Sequence, residues 1–302
     1  MAVNKSATVY IIGGSGFIGR HLITKLLNEK YHVVNIDSFP FNPKSRNYQQ
    51  HISTVEDCLQ TINKLIKPNS IIYYLAFASV PGKEKDIHLD YTKSVKPFID
   101  FMDRITELSP KVIFLSSAGA IYGENKKPNK ENDLLNPKSI YGIHKLFIEK
   151  YLFYYFSNKQ IEYRIARISN PYGNNFKHNQ GIGFVDAALR MFKKKGELKV
   201  YGDLSNQRDF IFIEEVVEAL FLISNFKIIP PNRVVNISYG KSLSLQHIID
   251  LLQKKYGYKI NLSKQATKHH DVKNSLVENE VLKKVYGFSP RYSIKKFLQN
   301  IK

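Results

Sequence analysis

Residues Thr8-Val9-Tyr10-Ile11-Ile12-Gly13-Gly14-Ser15-Gly16-Phe17-Ile18-Gly19 decide the fold. An apolar, largely β-branched run breaks into spaced glycines, after which Leu22, Ile23, Leu26 and Leu27 recur at helical spacing. This pattern predicts a strand, a tight turn and a helix. The alternation continues downstream, with strands expected over 31–36, near 51–55, over 70–75, 111–116 and 163–168. Helices are expected over about 86–108 and 139–155. Strands and helices alternating at this pitch imply an α/β fold, a parallel sheet covered on both faces, and right-handed crossovers make it doubly wound. From Asn170 the pattern loosens into a polar loop, a helix near 183–194, short strands near 198–200 and 234–237, and two further helices. A smaller C-terminal α/β lobe is therefore expected. Residues 1–170 form the first domain, with a returning segment near 205–240, and 171–302 mainly form the second lobe.

Composition bounds the function. Of 302 residues, 43% are hydrophobic, with 16 Gly and 12 Pro, which excludes a disordered or fibrous chain. The single cysteine, Cys58, excludes an internal disulfide framework and any Cys-rich metal centre, and it fits the reducing cytoplasm. The first apolar run is too short for a signal-peptide core or a membrane span, so a soluble protein is expected. The net charge is +19, from 45 Lys+Arg against 26 Asp+Glu. Only nine of those cations are arginine, and the lysine doublets are scattered along the chain. Base readers lean on arginine forks, and no zinc-finger, homeodomain or RNA-recognition signature is present, so no nucleic-acid partner is expected. Weak attraction to an anionic membrane surface fits the charge better than nucleic acid does, and a merely well-solvated exterior is the bland alternative.

The glycine spacing Gly13-x-x-Gly16-x-x-Gly19 sits where a dinucleotide-binding turn must sit, after the first strand and opening the first helix. Glycine lets the backbone approach a pyrophosphate, and the helix N-terminus offers unpaired N–H groups and partial positive charge. Asp37 ends the second strand, where a carboxylate accepts bonds from an adenosine ribose 2′-OH and repels a 2′-phosphate. NAD is expected rather than NADP. Tyr141 and Lys145 stand four apart on a predicted helix and share one face. An ammonium beside a phenol favours phenolate, which turns a tyrosine of ordinary pKa about 10 into a base near neutral pH.

These residues, in this order, resemble the extended short-chain dehydrogenase/reductase superfamily, a Rossmann-type group. The likeness is greatest to the NAD-dependent epimerase/dehydratase family, and within it to UDP-hexose 4-epimerases. It covers nearly the whole chain and rests on Gly13 to Gly19, Asp37, Leu75-Ala76-Phe77-Ala78, Ser116-Ser117 with Tyr122-Gly123, and Tyr141 with Lys145. Downstream it continues through Arg167 to Gly173, Gln207-Arg208-Asp209-Phe210 with Ile213-Glu214, and Asp271. The resemblance implies that Tyr141 transfers the proton, and that Lys145 tunes it and bonds the nicotinamide ribose. The turn through Phe17 and Ile18, with Ala76, Ala78 and Ser116, would line the cofactor. Asn170, Gln180 and Gly181 would meet the nucleotide-sugar, and Arg208 its diphosphate, a role suited to a planar charged fork. A surface ion pair is the bland alternative for Arg208 with Asp209.

The chain also departs from that pattern. Many relatives place a sugar-binding Ser or Thr four residues before the tyrosine of the Tyr-Gly pair, where Ala118 stands here; Ser117 is one residue earlier and Ser116 two. Ser117 is assigned the catalytic hydroxyl. Dehydratases carry an Asp-Glu pair just after it, and here the places read Gly119-Ala120. Without those carboxylates, 4,6-dehydration lacks its acid and base. Thr54-Val55 replaces an adenine-contacting Asp, Ser94 replaces an Asn, and the diphosphate-holding Arg-x-x-Asp appears as Lys268-His269-His270-Asp271. The expected function is a nucleotide-sugar 4-epimerase with bound NAD, acting on a UDP-hexose or UDP-N-acetylhexosamine for surface polysaccharide synthesis. A 4-keto-sugar reductase using NAD(P)H and a non-catalytic NAD-binding sensor are the alternatives. The resemblance also implies a homodimer through the two long helices, where Tyr151, Leu152, Tyr154, Tyr155 and Phe156 give more apolar surface than one helix face hides.

Overall fold

The computed structural model describes residues 8–79, 86–159, 161–173, 183–226, 233–265 and 272–301. In chain order, the first half runs β1 (Thr8–Ile12), α1 (Phe17–Asn28), β2 (His32–Asp37), β3 (Tyr48–Ile52), α2 (Val55–Cys58), α3 (Ile62–Leu65), β4 (Ile71–Tyr74), α4 (Ile87–Asp90), α5 (Lys96–Ile105), β5 (Lys111–Ser117), α6 (Ala118–Ile121), α7 (Ile140–Lys159) and β6 (Glu162–Ile168). The remainder runs β7 (Asn170–Tyr172), α8 (Phe184–Lys194), β8 (Leu198–Tyr201), β9 (Gln207–Phe212), α9 (Ile213–Asn225), β10 (Val234–Ile237), β11 (Ser242–Ser244), α10 (Leu245–Tyr256), β12 (Leu262–Gln265), β13 (Asn274–Ser275), α11 (Glu280–Tyr286) and α12 (Ile294–Asn300).

Seven strands form one parallel sheet in the order β3-β2-β1-β4-β5-β6-β10. Val9 to Ile12 are all buried, because a central parallel strand is covered on both faces and reads as an unbroken apolar run. Leu22, Ile23 and Leu26 of α1, Val216 and Leu220 of α9, and Leu282 of α11 fill one face. Phe98, Phe101 and Met102 of α5, and Ile148, Leu152 and Tyr155 of α7, fill the other. The third strand ends at Ile52, short of the expected 55, because the Thr54 hydroxyl accepts the Asp57 N–H and starts α2. The helical run expected over 86–108 opens with Asp86 capping the His88 and Leu89 amides, but it is interrupted by a π segment, Tyr91–Val95.

The smaller lobe joins β11-β9-β13, with β7 on β9, to the parallel pair β12-β8. Its core packs Val185, Ala188 and Phe192 of α8 against Ile248, Ile249 and Leu252 of α10, and Phe297 of α12. The segments after β1 and β5 reach this lobe: Phe17 lines a cavity with Asn170 of β7 and Phe210 of β9, and Gly119 lies beside Asn170. In open α/β sheets ligands bind at such carboxyl ends. Among the described residues, no helix is long and apolar enough to cross a membrane.

Candidate active site

The glycine turn is built by close approach. Gly13 has φ +84°, and a Cβ there would lie 2.5 Å from the Ala76 nitrogen. A Cβ at Gly19 would lie 2.4 Å from the Gly14 carbonyl oxygen. Gly16 differs: its nearest neighbour would be the Gly13 carbonyl oxygen at 4.0 Å, so the backbone there faces open space. Gly16 caps α1 with no side chain bonded to the first turn, leaving the amides around Phe17 and Ile18 to an anion. The Asp37 carboxylate accepts the Ser15 and Phe39 N–H groups at 2.8 and 2.9 Å, which ties it beside the turn and leaves acceptor capacity over. Ala76 donates to the Ile12 carbonyl at 2.8 Å, and Ala78 to the buried Ser94 hydroxyl at 3.1 Å. These residues fit a dinucleotide: the cradle at Gly16 is one a Cβ would fill.

Tyr141 and Lys145 lie one turn apart on α7. Lys145 is buried, and its Nζ donates to the Leu115 carbonyl at 2.8 Å. The ammonium stands 4.0 Å over the Phe77 ring, 4.8 Å from Phe114 and 5.6 Å from the Tyr141 ring. Phe77 in turn meets Tyr141 edge-on at 5.1 Å. Burial pushes the Lys145 pKa down to about 7, against the pull of Glu149 and Asp90. Both carboxylates are themselves engaged. Glu149 receives a bidentate bond from the buried Arg167 at 3.1 and 2.7 Å, and Asp90 pairs with His144 at 2.5 Å. Arg167 also bonds the Tyr122 hydroxyl and the Glu131 carbonyl, so α7 is locked to the sheet.

Strand alternation puts Ser116 on the face of Phe114, which α7 covers, and Ser117 on the opposite face. The Ser116 hydroxyl is buried and has no hydrogen-bond partner among the described residues. Ser117 is half-buried at the end of β5, and its hydroxyl does not cap α6. Gly119 abuts Asn170, whose carboxamide oxygen would stand 3.7 Å from an added Cβ.

Asn170 and Arg208 come together in a cavity of about 280 Å³ with Phe17 of α1. Asn170 donates to the Asp209 carbonyl at 2.8 Å. Arg208 bonds the Gln207 and Lys273 carbonyls at 2.9 and 3.2 Å. Asp209 is no member of a surface ion pair: it is fully buried, accepts the Tyr239 and Gly240 N–H groups at 2.9 and 2.7 Å, and burial pushes it up to about 6. Gln180, Gly181, Lys268 and Asp271 lie outside the described residues. The cavity also takes in Lys199 and Tyr201 of β8, Phe184 and Val185 of α8, and Leu245 of α10, which sequence reasoning missed. For β8 a signal existed: in Leu198–Tyr201 the apolar Leu198 and Val200 are buried, so period two sends Lys199 and Tyr201 outward.

The family model described as "NAD dependent epimerase/dehydratase family" matches residues 9–238. The chain belongs to that family. It is an NAD-dependent enzyme, and the glycine turn, Asp37 and the Ala76–Ala78 segment are the residues whose geometry could hold the cofactor. A Methanocaldococcus jannaschii protein named "Putative UDP-glucose 4-epimerase" is similar, 29% identical over 259 residues, covering 83% of each chain. An Escherichia coli dTDP-4-dehydro-6-deoxyglucose reductase is 25% identical over 297 residues, covering 93% of this chain and 92% of its own. The crystal structure of a UDP-glucose 4-epimerase from Thermotoga maritima with UDP-glucose has a TM-score of 0.87 at 26% identity, covering 97% of this chain and 96% of that one.

Proposed function

We propose that the protein is a nucleotide-sugar 4-epimerase acting on a UDP-hexose or UDP-N-acetylhexosamine. The observation that carries this reading is the Tyr141–Lys145 pair. It sits above the carboxyl end of β5, with a buried ammonium against Phe77 and the Asn170–Arg208 cavity across the strand ends. Tyr141 takes the proton from the sugar 4-hydroxyl and later returns it. Lys145 supplies the positive charge that makes a phenolate accessible near neutral pH. NAD, when bound, supplies a reversible hydride acceptor for C4. Ser117 holds the 4-oxygen, and Ser116, on the other face of β5, lines the cofactor; Asn170 and Arg208 hold the nucleotide part so that the 4-keto sugar can present its other face without leaving. Gly119 and Ala120 offer no acid or base, so elimination does not compete.

A homodimer completes the reading. Of the residues expected to form this surface, Leu152 and Tyr155 are buried in the core, while on α7 Ile143, Phe147 and Tyr154 form an exposed stripe, with Ile87, Leu89 and Tyr91 also exposed before and within the π segment. A second copy would cover both. The enzyme would work in the cytoplasm, in supply of surface polysaccharide synthesis. The test is incubation of purified protein, with no added cofactor, with UDP-glucose, UDP-galactose and their N-acetyl forms. The C4 epimer is expected from at least one pair. If all four return unchanged and a 4-keto sugar is reduced only with added NAD(P)H, the reductase reading replaces this one, as the similarity to the Escherichia coli reductase would then suggest.

A further inference from the structure

The smaller lobe carries a lysine face at the end remote from the catalytic cavity. Helices α8 and α10 run side by side, joined by stacking of Phe192 on Tyr256 at 5.7 Å and by the Tyr258 hydroxyl on the Phe192 carbonyl. Their first residues, Phe184, Val185 and Leu245, line the cavity. Their last turns carry Lys193, Lys194, Lys254 and Lys255. At about 1.5 Å per residue, these ends lie roughly 16–18 Å beyond the cavity. The segments leaving the two helices then enter the parallel strands β8 and β12, paired from Leu198 opposite Leu262, so Lys195 and Lys259 leave from the same end. The C-terminus of α12 joins them, because Lys255 donates to the Ile301 carbonyl at 2.7 Å.

Lysines at helix C-termini have an ordinary purpose, to offset the negative end of the dipole. Three converging termini carry about half a charge each. That accounts for Lys255 and little more. Lys193, Lys194, Lys195, Lys254 and Lys259 are all exposed, and the nearby acids in sequence are Glu197 and Asp250, the latter bonded to Gln246. The six lysines therefore leave a surplus of about two to three positive charges on one end of the lobe. Too far from the cavity to bind the substrate there, that surplus needs another partner.

We propose that this face docks on an anionic lipid surface, with the catalytic cleft directed away from the bilayer. Lysine ammoniums act as point charges, which suits the diffuse potential of lipid headgroups and needs no fixed geometry. Nucleic acid fits less well. Among the described residues the exposed cations of this face are lysines, with Arg190 half-buried a turn before Lys193, and Tyr256 and Tyr258 are spent on Phe192 instead of standing free to stack on bases. The inference rests on where the charge lies and is independent of the reaction assigned above.

The test uses the full chain and co-sedimentation with vesicles of phosphatidylcholine alone or with phosphatidylglycerol added. Wild-type protein should bind only the anionic vesicles and leave them at high salt. The triple variant Lys193→Glu, Lys194→Glu, Lys254→Glu should lose binding about a hundredfold, at about fivefold or more for each lysine near the surface. A second triple variant, Lys44→Glu, Lys64→Glu, Lys67→Glu, alters net charge equally on the first domain and should keep most of the binding. Thermal unfolding of both variants establishes that they fold. Failure of wild type to bind anionic vesicles would overturn the proposal, as would equal loss in the two variants. So would a single-stranded oligonucleotide that binds the lysine face and displaces the vesicles.

Discussion

The two sides of the catalytic cleft are built by opposite means. On the cofactor side the shape comes from backbone against backbone, with Gly13 under Ala76 and Gly19 under Gly14, all within a few residues of strand ends. On the sugar side it comes from side chains that share no local sequence: Asn170 from β7, Lys199 from β8, Arg208 from β9 and Leu245 from α10. The first is fixed by sterics at Gly13 and Gly19, where there is no room for an added atom. The second can change side chain by side chain without disturbing the sheet. On the proposed reading, the reaction type belongs to the first region, and the choice of sugar and nucleotide to the second.

That contrast can be broken by substitution. The largest effect is expected on the helix that joins the two regions: Tyr141→Phe should lower turnover about a thousandfold, within the usual range for a general acid–base group, while NAD content after purification stays as in wild type. Steady-state rates and dinucleotide release on denaturation check this. On the cofactor side, Gly16→Val should leave the fold intact, because the site is open, but cut NAD retention about a hundredfold by filling the cradle. Gly13→Val, at φ +84° and 2.5 Å from Ala76, should instead fail to fold stably. Thermal melts with and without NAD distinguish the two. On the sugar side, Arg208→Lys keeps the charge and loses the fork, and should raise KM about tenfold with little change in kcat.

A smaller effect sharpens the account of Lys145. Its folded-state pKa, pushed down to about 7, lies below the unfolded value near 10.4. Between those values the unfolded chain holds the extra proton, so this group makes the NAD-free protein more stable as pH rises through that window. Lys145→Met should remove that rise, an effect of at most a few kcal/mol, measurable by denaturant unfolding across pH 7 to about 10.

The sequence made the cofactor side legible because its signals are local. Glycine spacing, an acid at a strand end and a Tyr-Lys pair at helical spacing each lie within one element. The sheet followed for the same reason, apart from the early end of β3, which one threonine cap decides. Much of the rest was hidden by distance along the chain. The Arg167 bonds to Glu149, the His144 pairing with Asp90, and the meeting of Lys199 and Leu245 with Arg208 join residues that only the folded topology brings together. The facing of Ser116 and Ser117 was a matter of register, and one residue of shift in a strand exchanges the two faces. Comparing Ser116→Ala with Ser117→Ala tests that assignment: loss of kcat in the second and of NAD retention in the first is the expected split.

The central claim is that hydride leaves C4 and returns to the same carbon within one binding event. The most direct measurement uses a UDP-hexose bearing deuterium at C4, incubated with purified enzyme and no added cofactor. Deuterium retained at C4 of the inverted product is the predicted result. Loss of the label from C4, or inversion only when reduced cofactor is added, would contradict it.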